Sequence, residues 1–227
     1  MSRNQLIIVV VALVVVVAAA IAYYAWPSGS STEAAIPTGG AAGYTVAADD
    51  HTLGNPKAKV VLIEYAAPTC PHCAHFNETV FPQLKQKYID TGKIYYIFRV
   101  FPLHPSDAAA EAMAVCLPKD SYFQFIDLLF RGQKDWDWEY HTQDPTPFDV
   151  HGGLVKMGRI AGMTPEQVDT CINNKAVQDH VNKVAMDGQT RYSIAATPTF
   201  IINGVAHTDV ADWTGMQAAL DAQLAAK

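Results

Sequence analysis

Two cysteines, Cys70 and Cys73, stand two residues apart in the stretch PTCPHCAHF, residues 68–76. That spacing serves three chemistries: a redox-active dithiol, a metal clamp, or a local structural bridge. A bridge across so small a loop constrains the unfolded chain little. A closed zinc site wants four ligands. His72 and His75 lie close by, but the chain has no second CxxC and no HxxxH to complete a set. The dithiol is therefore the leading reading, and the elements around the motif decide what it can do.

KVVLIEY, residues 59–65, is a short apolar, β-branched run, the pattern of a strand buried on both faces. After Cys70 the pattern is helical to about Asp90, with Pro82 as a kink and Gly92 as a C-terminal stop. KIYYIFRVF, residues 93–101, is a second strand. Strand, helix and strand in that order predict two parallel strands with a right-handed crossover. Pro71 suits the first helical position, which puts Cys70 at the N-cap. Free backbone N–H groups and the positive end of the helix macrodipole then face its sulfur. His72 adds a second source of positive charge. Cys70 is thus expected to be the exposed nucleophile, titrating well below the free thiol value of about 8.5. A low pKa stabilises the reduced form and makes the disulfide a strong oxidant. Cys73, one turn further in, is the resolving residue.

Helical patterns continue over about residues 106–192. In DSYFQFIDLLFRG, Tyr122, Phe123, Ile126, Leu129 and Phe130 recur at helical spacing and read as a core face. Thr164, Pro165 and Gln167 form a capping box with proline at the first helical position. Strands return in TPTFIINGVAH, where Asn203-Gly204 predicts a hairpin pairing about 199–202 with about 205–208. Asp212 starts a final helix that reaches about Ala226. The whole reads as an α/β sheet with a helical insert between the second and third core strands.

Half of the 227 residues are hydrophobic, which excludes a disordered chain. The formal net charge is −6 without any basic run, so nucleic-acid binding has no electrostatic footprint. Leu6 to Ala22 is an unbroken apolar run preceded by Arg3 and followed by Tyr23, Tyr24 and Trp26. Residues 1–26 are accordingly read as a signal anchor or a cleaved signal peptide, with the aromatic flank favouring the anchor. Residues 27–48 form a Gly/Ala/Ser/Thr/Pro-rich linker, and residues 49–227 the folded domain. Either fate of the N-terminal segment puts that domain in an oxidising compartment.

The strand–CxxC–helix arrangement resembles the thioredoxin fold, and Cys-Pro-His-Cys in particular resembles the active site of DsbA-type thiol oxidases. The resemblance runs from about Asp50 to the C-terminus. It implies a thioredoxin-like fold with a central mixed sheet. It gives Glu64, on the first strand, the place of the buried acidic residue near the dithiol. It makes Thr197-Pro198 the cis-proline loop that faces the two sulfurs. If Cys70 and Cys73 are the redox pair, Cys116 and Cys171 are left, as a structural disulfide like the second pair of some DsbA branches or as two buried thiols. His104 and Asp107 are candidates to border the site. His51, His141, His151, His180 and His207 read as solvated. The implied activity is the introduction of disulfides into exported, unfolded or partly folded thiol proteins. It needs no cofactor and no metal. The implied setting is a bacterial periplasm, with a DsbB-like membrane reoxidant, contact with the membrane through the N-terminal segment, and a monomer. A disulfide isomerase or reductase, and a non-enzymatic metal-binding or chaperone protein, are the competing readings.

Overall fold

The computed structural model describes residues 46–226, apart from residue 48. The expected N-terminal segment, and nearly all of the expected linker, lie outside the described residues. Among the described residues no helix is long and apolar enough to cross a membrane.

The sheet is organised around β2 (Val60–Ala66), in which every residue is buried. β3 (Ile94–Val100) lies parallel to it, from Val60 opposite Ile94 to Ala66 opposite Val100. On the other side of β2, β4 (Thr199–Ile202) runs antiparallel, with Glu64 opposite Phe200. β5 (Val205–His207) returns antiparallel to β4. The turn between them holds Asn203 and Gly204 at φ +47° and +86°, the left-handed conformations that a two-residue hairpin requires.

A further strand, β1 (His51–Gly54), pairs antiparallel with the outer side of β3. The complete order is β1-β3-β2-β4-β5. This strand was not anticipated, and its composition explains why. HTLG has one large apolar residue, is half-exposed, and ends in a glycine at φ +86°. Pairing with β3, rather than any local preference, makes it a strand.

Alternation along β2 sends Val60, Leu62 and Ala66 into the larger core and Val61, Ile63 and Tyr65 into a smaller one on the opposite face. α1 (Pro71–Thr79) packs into the larger core through Cys73 and Phe76. The helix expected to run to Asp90 is interrupted at Val80. It resumes as α2 (Phe81–Leu84) and a single π turn, Lys85–Ile89. Pro82 has no N–H for the carbonyl four residues back, so the break falls where that bond would form.

The insert comprises α3 (Pro105–Cys116), α4 (Tyr122–Arg131), α5 (Gln133–Trp136), α6 (Val150–Ile160), α7 (Pro165–Ile172) and α8 (Lys175–Tyr192). On α4 Tyr122, Phe125 and Phe130 are buried, whereas Phe123, expected in the core face, is only half-buried. The Thr164 capping box closes reciprocally: Thr164 Oγ1 accepts from the Gln167 N–H, and Gln167 Oε1 accepts from the Thr164 N–H. α8 covers the smaller core so closely that a Cβ on Gly188 would lie 2.8 Å from the Tyr65 ring. α9 (Trp213–Ala225) is capped by the Asp212 carboxylate, which accepts from the Gly215 N–H at 2.9 Å. Cys116, the last residue of α3, is disulfide-bonded to Cys171 of α7, 55 residues away.

A loop of that length gives an entropic contribution of at most about 4 kcal/mol from constraining the unfolded chain. The double variant Cys116→Ala/Cys171→Ala should therefore fold and lose up to that amount in urea unfolding, while the CPHC thiols titrate as in the parent. A shifted Cys70 titration would mean that the insert bridge and the dithiol are coupled.

Candidate active site

β2 ends at Ala66, and a three-residue turn carries the chain to Cys70, which caps α1 in an extended conformation (φ −71°, ψ 119°) with Pro71 behind it. Both CPHC cysteines are free thiols. Cys73 is fully buried and Cys70 is 4 % exposed. The order of accessibility agrees with helix polarity, but the expectation of an exposed nucleophile needs correction: most of the Cys70 surface is covered.

Its surroundings nevertheless favour the anion. The Cys73 thiol donates to the Cys70 sulfur, and the Thr197 side chain and the backbone N–H groups of Cys73 and His72 add to that effect. Together they outweigh burial and bring Cys70 down to about 6. Cys73 moves the opposite way. Burial, the bond it donates to Cys70, and the charges of Cys70 and Glu64 push it well above the usual thiol range. His72 is exposed, and what reaches the sulfur is its backbone N–H. The expected contribution rested on its ring.

Thr197 enters from the start of β4. Its carbonyl is 3.4 Å from Cys70 Sγ, and the Thr197-Pro198 peptide is cis. Apart from its influence on the Cys70 sulfur, the buried Thr197 hydroxyl has no hydrogen-bond partner among the described residues. Glu64 lies one strand away on β2 and is 2 % exposed. It accepts a 2.6 Å bond from the Tyr96 hydroxyl. Burial raises its carboxyl to about 7; the Tyr96 bond opposes that rise and the Cys70 charge adds to it.

The insert grips the turn before Cys70. The buried Asp107 carboxylate accepts from the Thr69 N–H at 2.8 Å and the Thr69 hydroxyl at 3.1 Å, and also from the Leu103 and His104 N–H groups. Gln133 Nε2 donates to the Pro68 and Cys70 carbonyls at 2.8 and 3.0 Å. The Tyr140 hydroxyl in turn donates to Gln133 Oε1 at 2.8 Å. Asp107 had been singled out in the sequence as a border residue. Gln133, Tyr96 and Tyr140 had not. Gln133 lies 63 residues from Cys70 in a helix of four residues, with no local motif to mark it. His51 is not solvated as expected: its ring stacks on Tyr122 with centroids 3.4 Å apart.

The thiolate assignment has a definite pH signature. The Cys70 pKa is depressed on folding from 9.0 to about 6. Its stabilisation of the folded, reduced protein is present above the unfolded value and disappears as pH falls through the folded one. The oxidised protein has no such group. Between about pH 6 and pH 9 the reduced form should therefore gain stability relative to the oxidised form, and Cys70 should be alkylated before Cys73. Denaturation of both forms across that range, with peptide mapping of the alkylated protein, checks this. A constant stability difference, or label on Cys73 first, would reverse the two roles.

The chain matches the thioredoxin family model over residues 47–222. It is 34 % identical over 162 residues to a Rickettsia typhi protein named protein-disulfide oxidoreductase, covering 69 % of this chain and 56 % of that one. It thus spans little more than half the length of that relative. Disulfide bond formation protein D of Bacillus subtilis is 26 % identical over 179 residues, 77 % of either chain. The crystal structure of Wolbachia pipientis alpha-DsbA1 superposes with a TM-score of 0.70 at 30 % identity, covering 79 % of this chain and 92 % of that one. With its mixed five-stranded sheet, helical insert and CPHC at the first strand–helix junction, the chain belongs to the thioredoxin superfamily as a DsbA-like member.

Proposed function

We propose that this protein is a thiol:disulfide oxidoreductase that works as a thiol oxidase on exported proteins. The placement of Cys70 at the N-terminus of α1, with the Cys73 thiol and the Cys73 and His72 N–H groups acting on its sulfur, is the observation that carries this reading. A thiolate stabilised at about 6 on Cys70 favours the dithiol state, so the Cys70–Cys73 disulfide gives up its oxidising equivalents readily.

A substrate thiolate attacks Cys70 Sγ of that disulfide. A sulfur–sulfur bond forms to the substrate, and Cys73 leaves as a thiolate that takes up a proton, as its raised pKa requires. A second substrate thiolate then attacks the substrate sulfur of the mixed disulfide. The substrate leaves with its own disulfide, and Cys70 departs as the thiolate its surroundings favour. Two electrons have passed to the protein and two thiol protons have been released from substrate. Glu64, buried beside the pair and titrating near neutrality, is suited to relay the Cys73 proton. Pro71 sets the first turn, and the His72 backbone N–H supports the Cys70 thiolate. Thr197 and Pro198 offer the edge along which an extended substrate segment aligns.

Resemblance to DsbA-type proteins supports the reoxidant and the exported setting, and the apolar run Leu6–Ala22 with its aromatic flank supports the tether. The reduced protein passes its electrons to a DsbB-like membrane partner, the domain faces the periplasm as a monomer, and residues 1–26 tether it to the inner membrane through the linker. The Cys116–Cys171 bridge has a structural role in this reading.

Redox equilibrium of the purified protein against glutathione tests the direction of exchange. An oxidase should equilibrate near about −120 mV, a thioredoxin-like reductase near about −270 mV. A value at the reductase end would overturn the oxidase reading while leaving the dithiol chemistry intact. Pro198→Thr should slow resolution of the mixed disulfide, so that Cys70-linked complexes accumulate in cells and are visible on non-reducing gels. Turnover of a thiol peptide at the parental rate, with nothing trapped, would reduce Pro198 to a turn residue.

A further inference from the structure

β1 pairs with the edge of β3 only as far as Phe98, and β3 continues to Val100. A cavity of about 490 Å³ lies there, walled by that edge and by α3 and α8. This volume is in the range of small-molecule sites, about 300–1,000 Å³. Its lining includes neither CPHC cysteine nor Thr197. Much of the wall is apolar, with Phe98, Val115, Leu117, Val177, Val181 and Val184.

The polar groups at the wall are unequally partnered. Asp49 pairs with His180 at 3.2 Å, and Asp50 with Arg99 at 2.8 Å. Glu111 is 7 % exposed, and among the described residues the ionisable group within ion-pair distance of it is His51. Its Oε2 accepts from the neutral Tyr122 hydroxyl at 2.7 Å. Its Oε1 has His51 Nε2 at 3.6 Å, beyond hydrogen-bond reach. The His51 ring cannot swing away easily, because it lies flat on Tyr122 with an interplanar angle of 4°.

We propose that this cavity is a binding site for a small apolar ammonium compound, its cation held between Glu111 Oε1 and His51 Nε2 and its hydrocarbon body against the valines of α3 and α8. Glu111 Oε1 and His51 Nε2 lie 3.6 Å apart, close enough for one group that donates twice to bridge them. An ammonium does so, provided that His51 is neutral and carries its proton on Nδ1. A hydroxyl has a single hydrogen to give, and a carboxylate has none and meets Glu111 with like charge. Burial lowers His51 to about 4, which keeps it an acceptor at neutral pH, and raises Glu111 to about 7. A bound cation would hold Glu111 ionised. Lys119 is exposed at the rim, and its charge helps to hold His51 neutral.

Three probes of nearly equal shape separate the possibilities: 2-phenylethylamine, 2-phenylethanol and 3-phenylpropionate. Titrated into the full chain at about pH 8, where both the amine and Glu111 are charged, the amine should bind about tenfold or more tighter than the other two. Glu111→Gln should abolish that preference, and Val115→Phe, which fills the cavity while leaving Glu111 in place, should weaken all three. Far-UV circular dichroism and the Cys70 titration verify that each variant is folded. Equal affinity for the three probes, tighter binding of the carboxylate, or amine binding that survives both substitutions would overturn the proposal. If Glu111→Gln fails to fold, amine binding lost in Val115→Phe supports the site, and amine binding retained there refutes it.

Discussion

The hydrogen bond from the Cys73 thiol to the Cys70 sulfur is the interaction on which the rest of the site depends. It is the largest influence favouring a Cys70 thiolate, and the same bond helps keep Cys73 protonated. One contact therefore polarises two chemically identical side chains in opposite directions. It exists only because α1 starts at Cys70. One residue of displacement would move the first sulfur off the N-terminus and out of reach of the Cys73 and His72 N–H groups. A hydrogen bond to a charged group is worth about 1.5–3 kcal/mol, enough to exceed the cost of partial burial where several act together.

Holding that register is the task of the surrounding fold. The turn before Cys70 is gripped from outside the sheet. Asp107 takes the Thr69 amide and hydroxyl, and Gln133 takes the Pro68 and Cys70 carbonyls. Both residues belong to the insert. The helical block is thus part of the active-site framework as well as a cover over the larger core. Its own integrity rests on local devices, such as the Thr164 capping box, and on the Cys116–Cys171 link between α3 and α7.

The sheet supplies the remaining groups. Because β2 lies between β3 and β4, a residue on β2 can face a phenol from one neighbour while the chain entering the other neighbour closes over the dithiol. Glu64 meets Tyr96 from β3, and Thr197 reaches Cys70 from the start of β4. Burying Glu64 and Glu111 is costly for their charged forms, and each keeps a tyrosine hydroxyl as its partner. Both carboxyls consequently titrate near neutrality, one beside the sulfurs and one at the wall of the separate cavity.

Features whose cause lies within a few residues were legible in the sequence. CPHC with proline at the first helical position determined where α1 begins and which cysteine is at its end. The unbroken apolar run and β-branching of KVVLIEY, the Asn203-Gly204 turn, the Thr164 capping box and the Asp212 cap each specify their own backbone, whatever packs against them. What depended on distant partners was decided only by the tertiary structure. HTLG becomes β1 because β3 offers it an edge. His51 leaves solvent because Tyr122 lies parallel to it. Cys70 is covered although its helix position suggested exposure. Gln133, 63 residues beyond Cys70, meets its carbonyl only once the insert has folded back over the turn. The physical reason is the range of the forces involved. Capping, turn conformation and hydrophobic period act over one or two turns of chain, whereas a buried hydrogen bond between distant segments is made only after the core has brought them together.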